Sequence, residues 1–380
     1  MKILHICLGN PFTEEMAYKE TYIVRANLQD GHDVLMIAPT LKWDKGRIVE
    51  TPEENKIIYG GVKLIRLNYD NVINKRISDK IRKSNRIFNI IEEYTPNVIV
   101  FQCIQSYSVQ FIKKLKRVNP GVKIYGDIST TYENSAQTLL SKKILHGIIY
   151  KHWIKKAEPY FDKLFYVTPE SKMFVMQMYG VSEEKLEWNP LCGQLTTSRR
   201  KEKLKKEYWQ EHNLTEKNII FIHSGKMNKL KQTLEVLQEF NNFKNENFRL
   251  LIAGSFSDDI ITEAEKIIKL DKRITYLGFL KADELEKYLN IADLYIQPGS
   301  PSQTANTAIC CFTPVVLADI PTYSFFMEDN GWLINSTREL GNIFTTISNE
   351  PHILKHMSKN AEKLATEKLD YRVLAARLYS

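Results

Sequence analysis

The residues best suited to chemistry stand between an apolar run that ends at Gln297 and an apolar segment at 308–312. They are Pro298, Gly299, Ser300, Pro301, Ser302, Gln303 and Thr304, all small, hydroxylic or amide-bearing. Such a loop at a helix start offers backbone N–H groups and the positive end of the helix dipole, which stabilise an anion. It also follows a strand, and open α/β sheets bind ligands at the carboxyl ends of their strands. On these residues alone, anion binding and a plain connection stand level, because every α/β domain has such loops. Other chemistries have weaker signals. The cysteines Cys7, Cys103, Cys192, Cys310 and Cys311 form no CxxC pair. His5, His32, His146 and His223 have no ligand or triad spacing. Ser257-Asp258-Asp259 reads as a helix cap, and Gly9-Asn10-Pro11 lacks the GxGxxG spacing of a dinucleotide loop.

The composition agrees with binding a small anion. The chain has 380 residues, 43% hydrophobic and 26% charged, enough for two ordinary domains. No apolar run approaches the roughly 20 residues needed to span a bilayer. The opening residues read as a first strand, not a signal peptide, and the odd cysteine count suits free thiols in a reducing cytoplasm. A net charge of +8 favours an anionic partner such as a nucleotide or a lipid headgroup. No nucleic-acid-binding module is recognisable, so no nucleic acid is expected.

The elements that must position these residues alternate strand and helix. Residues 2–8 read as a strand, 14–29 as an amphipathic helix and 33–38 as the next strand, a βαβ start that argues for a parallel sheet. Further strands are expected at 62–67, 97–102, 123–127, 163–167 and 186–190. A second alternation runs through 218–223, 249–253, 274–277, 294–297 and 315–318, with helices at 231–240, 260–270 and 282–290. The segment 196–217 is charged and without strand pattern. It is assigned as a linker running into a helix at 204–212. The expected domains are therefore 1–195 and 218–367, with a C-terminal helix at 368–380 placed to pack back on the first. Two Rossmann-like halves of this kind enclose a central cleft that suits a nucleotide on one side and an acceptor on the other.

The second half resembles the nucleotide-sugar domain of family 4 glycosyltransferases, of the GT-B fold. The carriers are Ser224-Gly225-Lys226 with Lys231 five residues on, then Leu251-Ile252-Ala253-Gly254, Tyr276-Leu277-Gly278-Phe279, Ala292-Asp293-Leu294 and Pro314-Val315-Val316. Lys226 falls where the family has Arg, and Lys231 matches the family Lys. The first half is similar more weakly, through Gly31-His32-Asp33-Val34 and Asn189-Pro190-Leu191. The resemblance implies a retaining transfer of a sugar from a UDP- or GDP-sugar to a glycan acceptor, with no metal or other cofactor. It implies that Lys226 and Lys231 steady the departing diphosphate. Donor contacts are expected from Gly9, Gly225, Leu277, Gly278, Phe279, Ser300, Ser302, Gln303, Thr304, Asn306 and Thr307. Fixed cations and N–H dipoles at that point stabilise charge that grows in the transition state.

The resemblance breaks in the loop singled out first. Family members carry two glutamates eight positions apart, one for the sugar and one for the ribose. Here Thr307 takes the second position and the first falls near Gly299, and no Asp or Glu occurs from Leu294 to Ala318. Neutral groups on Ser302, Gln303, Thr304 and Asn306 are the expected substitutes. A catalytically silent subunit of the same fold therefore stands as the alternative function. A nucleotide-sugar epimerase is a third, without the clustered acid and base it would need.

In the first half, Asp127 matches an Asp of some family members, and Gly126 stands in place of their His. Asp127 is read equally as the carboxylate that orients the acceptor hydroxyl and as a cap of the next segment. Tyr132 and Asn134 follow as weaker acceptor-side candidates. Two basic, aromatic-rich segments, 74–94 and 142–161, are expected to form amphipathic helices. They suit either a core-facing packing or peripheral contact with a membrane's inner face. The second role would fit a lipid-linked glycan acceptor.

Overall fold

The computed structural model describes every residue except Glu15, Ala17, Lys45, Gly46 and Ser380. The chain divides into two compact units, Met1–Pro190 with Arg372–Ser380, and Leu191–Tyr371.

Unit 1 contains β1 (Lys2–Ile6), β2 (Asp33–Pro39), β3 (Leu41–Asp44), β4 (Arg47–Glu50), β5 (Glu54–Ile58), β6 (Val62–Leu67), β7 (Val98–Phe101), β8 (Lys123–Ile128), β9 (Lys163–Tyr166) and β10 (Leu186–Trp188). Its main sheet has the order β10-β9-β8-β7-β1-β2-β6-β5. All neighbours in it are parallel except β5, which runs antiparallel to β6. The central strands are largely apolar because both their faces are covered; Ile3, Leu4, Ile6, Val98 and Ile99 are buried. The strand order reverses between β1 and β7, so the crevice of this sheet opens at the ends of those two strands. Gly9 follows β1 there. A Cβ at Gly9 would lie 2.1 Å from the Cβ of Cys103, which follows β7, so only glycine allows the two loops to meet.

Unit 2 contains β11 (Ile219–Met227), β12 (Phe248–Phe256), β13 (Ile274–Gly278), β14 (Leu294–Gln297), β15 (Val315–Ala318) and β16 (Gly331–Ile334). They form one parallel sheet in the order β13-β12-β11-β14-β15-β16. This is the strand order of a doubly wound nucleotide-binding domain, reversing between β11 and β14. One face packs an aromatic cluster in which Phe221 meets Phe248 edge-on at 4.9 Å and Phe344 at 5.3 Å.

Several boundaries differ from the sequence expectation. The helix expected at 14–29 spans Lys19–Gln29. Glu14 lies before it and pairs with the buried Arg66 at 3.0 Å. The hairpin β3–β4 and the edge strand β5 have charged, half-exposed faces, which read as loop in the sequence. The presumed linker 196–217 contains the helix Ser198–Glu211, capped by Thr197, whose side chain accepts from the Arg200 N–H. This helix is docked on unit 2. Arg200 pairs with Glu286 at 2.9 Å, Lys205 pairs with Asp293, and Lys201 Nζ donates to Thr313 Oγ1 at 2.7 Å. The strand expected at 218–223 runs on to Met227, because β12 pairs with it along its whole length. The segment 74–94 is two helices, Lys75–Ile81 and Arg86–Tyr94, since Arg82 at φ 55° ends the first. The segment 142–161 is a wide π-type helix, Ser141–Tyr150, continuing into Lys151–Ala157.

The chain passes between the units twice, and within unit 2 the two passages are neighbours. Gly193 N–H donates to Leu369 O at 3.2 Å, and Tyr371 N–H donates to Gly193 O at 3.2 Å. Beyond Tyr371 the chain belongs to unit 1. There Leu374 and Leu378 are buried, and Arg377 Nη1 donates to Trp188 O at 2.8 Å.

Candidate functional site

In unit 2 the candidate residues gather at the carboxyl ends of β11 and β14, where the strand order reverses. Two backbone segments are bolted together there. Ser300 N–H donates to Leu230 O at 2.9 Å. Gly299 lies so close to the other segment that a Cβ on it would stand 2.2 Å from Leu230 O. Lys231 completes the joint, its Nζ donating to Ser300 O at 2.6 Å and to Pro301 O at 3.0 Å. Lys231 sits in a short 3₁₀ turn, Lys229–Lys231, not in the helix expected at 231–240, which begins at Thr233. Its ammonium is buried beneath the loop, and burial lowers its pKa to about 8. One of its three N–H donors has no protein acceptor among the described residues.

Lys226 differs from Lys231. It lies on β11 opposite Ser255, is exposed and meets no carboxylate among the described residues. Gly225 before it has φ 137°, and Gly254 on β12 has φ 144°. A Cβ at Gly254 would fall 1.9 Å from Gly225 O, so glycine at this position lets β11 and β12 stay paired beside the site. At the end of β13, Leu277 and Gly278 are half-buried. Phe279 beyond them is 72% exposed, an apolar ring available for stacking.

The hydroxyl and amide residues after the loop are not loop residues. The helix expected at 308–312 starts earlier, as Gln303–Cys310. Ser302 is its N-cap and accepts from Thr304 N–H at 3.2 Å, while Ser302 N–H donates to the Tyr323 hydroxyl at 3.2 Å. Gln303 Nε2 donates to Cys192 O at 2.6 Å, and Asn306 Nδ2 donates to Leu191 O at 3.2 Å. Thr307 returns its hydroxyl to Gln303 O at 3.2 Å. The side-chain donors of Gln303, Asn306 and Thr307, expected to be free for a ligand, are thus engaged by the 191–192 backbone and by the helix itself. The short polar side chains reach neighbouring backbone, as such residues commonly do.

In unit 1, Asp127 on β8 is buried and paired with Lys19 Nζ at 2.5 Å. Lys19 also donates to Asn189 O at 2.7 Å. Burial raises the Asp127 carboxyl, and the Lys19 charge and hydrogen bond oppose that rise. Neither a cap nor a free carboxylate describes Asp127; it is one half of a buried ion pair. Glu20, beside Lys19, is raised mainly by burial, and the Asp127 charge adds to the rise. Lys19 escaped the sequence reading. The only available signal was its place at the start of a helix after the β1 loop. Tyr132 is exposed against Phe174 at 4.8 Å, and Asn134 holds its own turn through Thr131 N–H at 3.0 Å and Ser129 O at 3.1 Å. His5 is buried between Asn27 at 2.8 Å and Gln102 at 2.9 Å, and His223 between Ile296 O at 2.8 Å and Thr233 at 3.0 Å. Burial lowers each to about 4, as befits structural groups. Among the described residues no three His, Cys, Asp or Glu side chains are grouped to hold a metal ion.

Residues 205–364 match the sequence profile of the family described as glycosyl transferases group 1. A stretch of 124 residues is 32% identical to the alpha-monoglucosyldiacylglycerol synthase of Acholeplasma laidlawii. That stretch is 30% of this chain and 31% of the relative, so the match spans about a third of the relative's length. Among solved structures, the chain resembles HepE of Anabaena in complex with UDP, with a TM-score of 0.67 at 14% identity, over 99% of this chain and 98% of that one. It resembles sucrose-phosphate synthase of Thermosynechococcus elongatus with a TM-score of 0.70 at 16% identity, over 99% and 97%. WaaG, a glycosyltransferase of lipopolysaccharide biosynthesis, gives 0.63 at 15% identity over 99% and 98%. The fold is GT-B, built from two Rossmann-like units.

Proposed function

We propose that the chain transfers a hexose or hexose derivative from a UDP- or GDP-sugar to a glycan acceptor, with retention and without a divalent ion. The observation that carries this reading is the joint at the reversal between β11 and β14. There a buried lysine lies beneath a glycine-serine loop and an exposed lysine stands on the adjoining strand. The family match over 205–364 supports it. Leaving of the nucleoside diphosphate concentrates negative charge on its outer phosphate. Lys226 would meet that charge directly. The third N–H of Lys231 and the positive end of the Gln303–Cys310 helix dipole would add to that stabilisation, although the Ser300, Ser302, Thr304 and Ala305 N–H groups are already donated within the unit. Phe279 would lie against the base. In unit 1 the Lys19–Asp127 pair would orient the acceptor hydroxyl, with Tyr132 and Asn134 at the margin. The acceptor would be a glycan on a lipid carrier, met at the inner face of a membrane by the basic helices of unit 1.

One observation favours a second reading, a silent subunit of the same fold. No carboxylate stands between Leu294 and Ala318, and Gln303 and Asn306 already donate to backbone. A screen of UDP-, GDP-, ADP- and CMP-sugars without metal decides between them. Transfer or slow hydrolysis of one donor is expected. Failure to bind any nucleotide would sink the transferase and leave the silent subunit.

A further inference from the structure

Unit 1 contains a groove of about 1100 Å³, roofed by the helix Lys75–Ile81 on one side and the helix Ser141–Tyr150 on the other. Its size is at the upper end of ligand clefts, which run to about 1000 Å³. One wall is apolar and open to solvent: Ile73 is 72% exposed, Leu140 69%, and Val72 and Ile144 are exposed beside them. Apolar side chains left in water along one groove mark a place something apolar covers.

The groove is also cationic, and none of its lining residues is acidic. Arg76, Lys80 and Arg82 all line it, and none meets a carboxylate among the described residues. Arg82 is half-buried; its Nη1 donates to Gln105 O at 2.9 Å and to the Cys103 sulfur at 3.6 Å, and its Nε and Nη2 make no hydrogen bond among the described residues. The one acid of that helix, Asp79, lines a different hollow. Gln105 is 3% exposed, and its Nε2 makes no hydrogen bond of normal geometry, although the Tyr179 hydroxyl is near enough to feel it. Its Oε1 is taken by the Cys103 thiol at 2.9 Å. His146 also lines the groove, its Nδ1 2.7 Å from the Tyr179 hydroxyl. Burial, then the charges of Arg82 and Lys80, lower His146 to about 4, so it stays neutral while the cations beside it remain uncompensated. A half-buried guanidinium without an anion and a buried amide whose Nε2 makes no well-formed hydrogen bond would both be served by one anionic oxygen.

We propose that the groove binds a lipid phosphate, with the hydrocarbon chain along Ile73, Leu140 and Ile144 and the phosphate against Arg82, Lys80 and the Gln105 amide. As the place of the acceptor's lipid carrier this rests on the transferase reading; the binding itself does not. The helices Lys75–Ile81 and Ser141–Tyr150, one from each basic segment, then serve as walls of a lipid slot. The slot is charge-complementary to a phosphate monoester or diphosphate and to nothing cationic.

The test is calorimetric titration of farnesyl phosphate, below its micelle concentration, into the full chain without nucleotide. Farnesol and inorganic phosphate are titrated in parallel. Farnesyl phosphate is expected to bind at least tenfold more tightly than either. R82Q and I144E should each weaken it tenfold or more, and K143A, an exposed lysine outside the groove, should not. If R82Q fails to fold, K80Q and I144E carry the test, because both positions are exposed. Equal affinity for farnesol, equal affinity for inorganic phosphate, or binding to phosphatidylglycerol vesicles without uptake of the monomer would each overturn the proposal. UDP titrated separately into the parent chain and into I144E distinguishes the two readings. A parent chain that binds farnesyl phosphate but no UDP would refute the transferase and leave the groove, whereas I144E that keeps UDP but loses farnesyl phosphate is expected if both hold.

Discussion

If Lys231 serves a diphosphate, nucleotide binding must be coupled to its proton. Free, the ammonium is lowered by burial from 10.5 to about 8. A diphosphate against its remaining N–H would return it towards the ordinary lysine value, since an opposite charge favours the protonated form. The affinity then contains the fraction of free protein already protonated, which is about nine-tenths at pH 7 and about a quarter at pH 8.5 for a pKa near 8. UDP should therefore bind about fourfold more weakly at pH 8.5 than at pH 7, or about 0.8 kcal/mol. The range stops short of ionisation of the base. Calorimetry at pH 8 in two buffers of different ionisation heat should register uptake of about half a proton per UDP. Lys231→Met should abolish both the slope and the uptake. The same substitution removes the ammonium's hydrogen bonds to Ser300 O and Pro301 O but also relieves the burial that lowers its pKa, so urea unfolding of Lys231→Met separates lost affinity from a lost fold. An affinity flat from pH 7 to 8.5, or a slope that survives Lys231→Met, refutes the placement of Lys231 at the phosphate. The lowered value also has a consequence for stability. Its sign is that of a depressed group: the contribution is present above pH 10.5 and lost as pH falls through 8, so protonated Lys231 is held at neutral pH at a cost.

Two further outcomes follow from the geometry. Lys19→Met leaves the Asp127 carboxylate buried without its cation and should cost about 3–5 kcal/mol, whereas Lys19→Met with Asp127→Leu should recover most of that; urea unfolding of the full chain checks both, and a double variant no more stable than the single one would contradict it. Gly299→Ala sets a methyl 2.2 Å from Leu230 O, so the loop must shift, with a destabilisation of about 1–3 kcal/mol and weakened UDP binding by titration; unchanged binding would show that the loop is not at the nucleotide.

Sequence and structure agree where the signal is local and periodic. The runs at Val98–Phe101 and Val315–Ala318 are strands because both faces are covered, and burial on both faces writes itself as an uninterrupted apolar run, which His5 breaks in Lys2–Ile6. The meeting of Lys231 with the loop at Ser300 was legible only through the family spacing, since 69 residues separate the partners. Asp127 was legible through the resemblance, but its pairing with Lys19, 108 residues away, left no trace in either pattern. The helix Ser198–Glu211 hid behind its charge: its lysines and arginines read as solvated, yet Lys201 and Lys205 reach inward to Thr313 and Asp293. The backbone partners of Gln303 and Asn306 were hidden for a related reason. An amide's type is visible in the sequence, but the carbonyl that claims it is not.

The side-by-side passage at Gly193 and Asp370 orders events in time as well as in space. Unit 2 has neighbouring ends, the property that lets one domain be inserted into another. On a ribosome, its sheet is fully emerged while the last helix of unit 1, with Leu374 and Leu378, is still to come. The unit begun first is therefore completed last. Until then the surface that Leu374 and Leu378 will cover stays open to water, and a stop a few residues early would spare unit 2 and leave unit 1 unfinished.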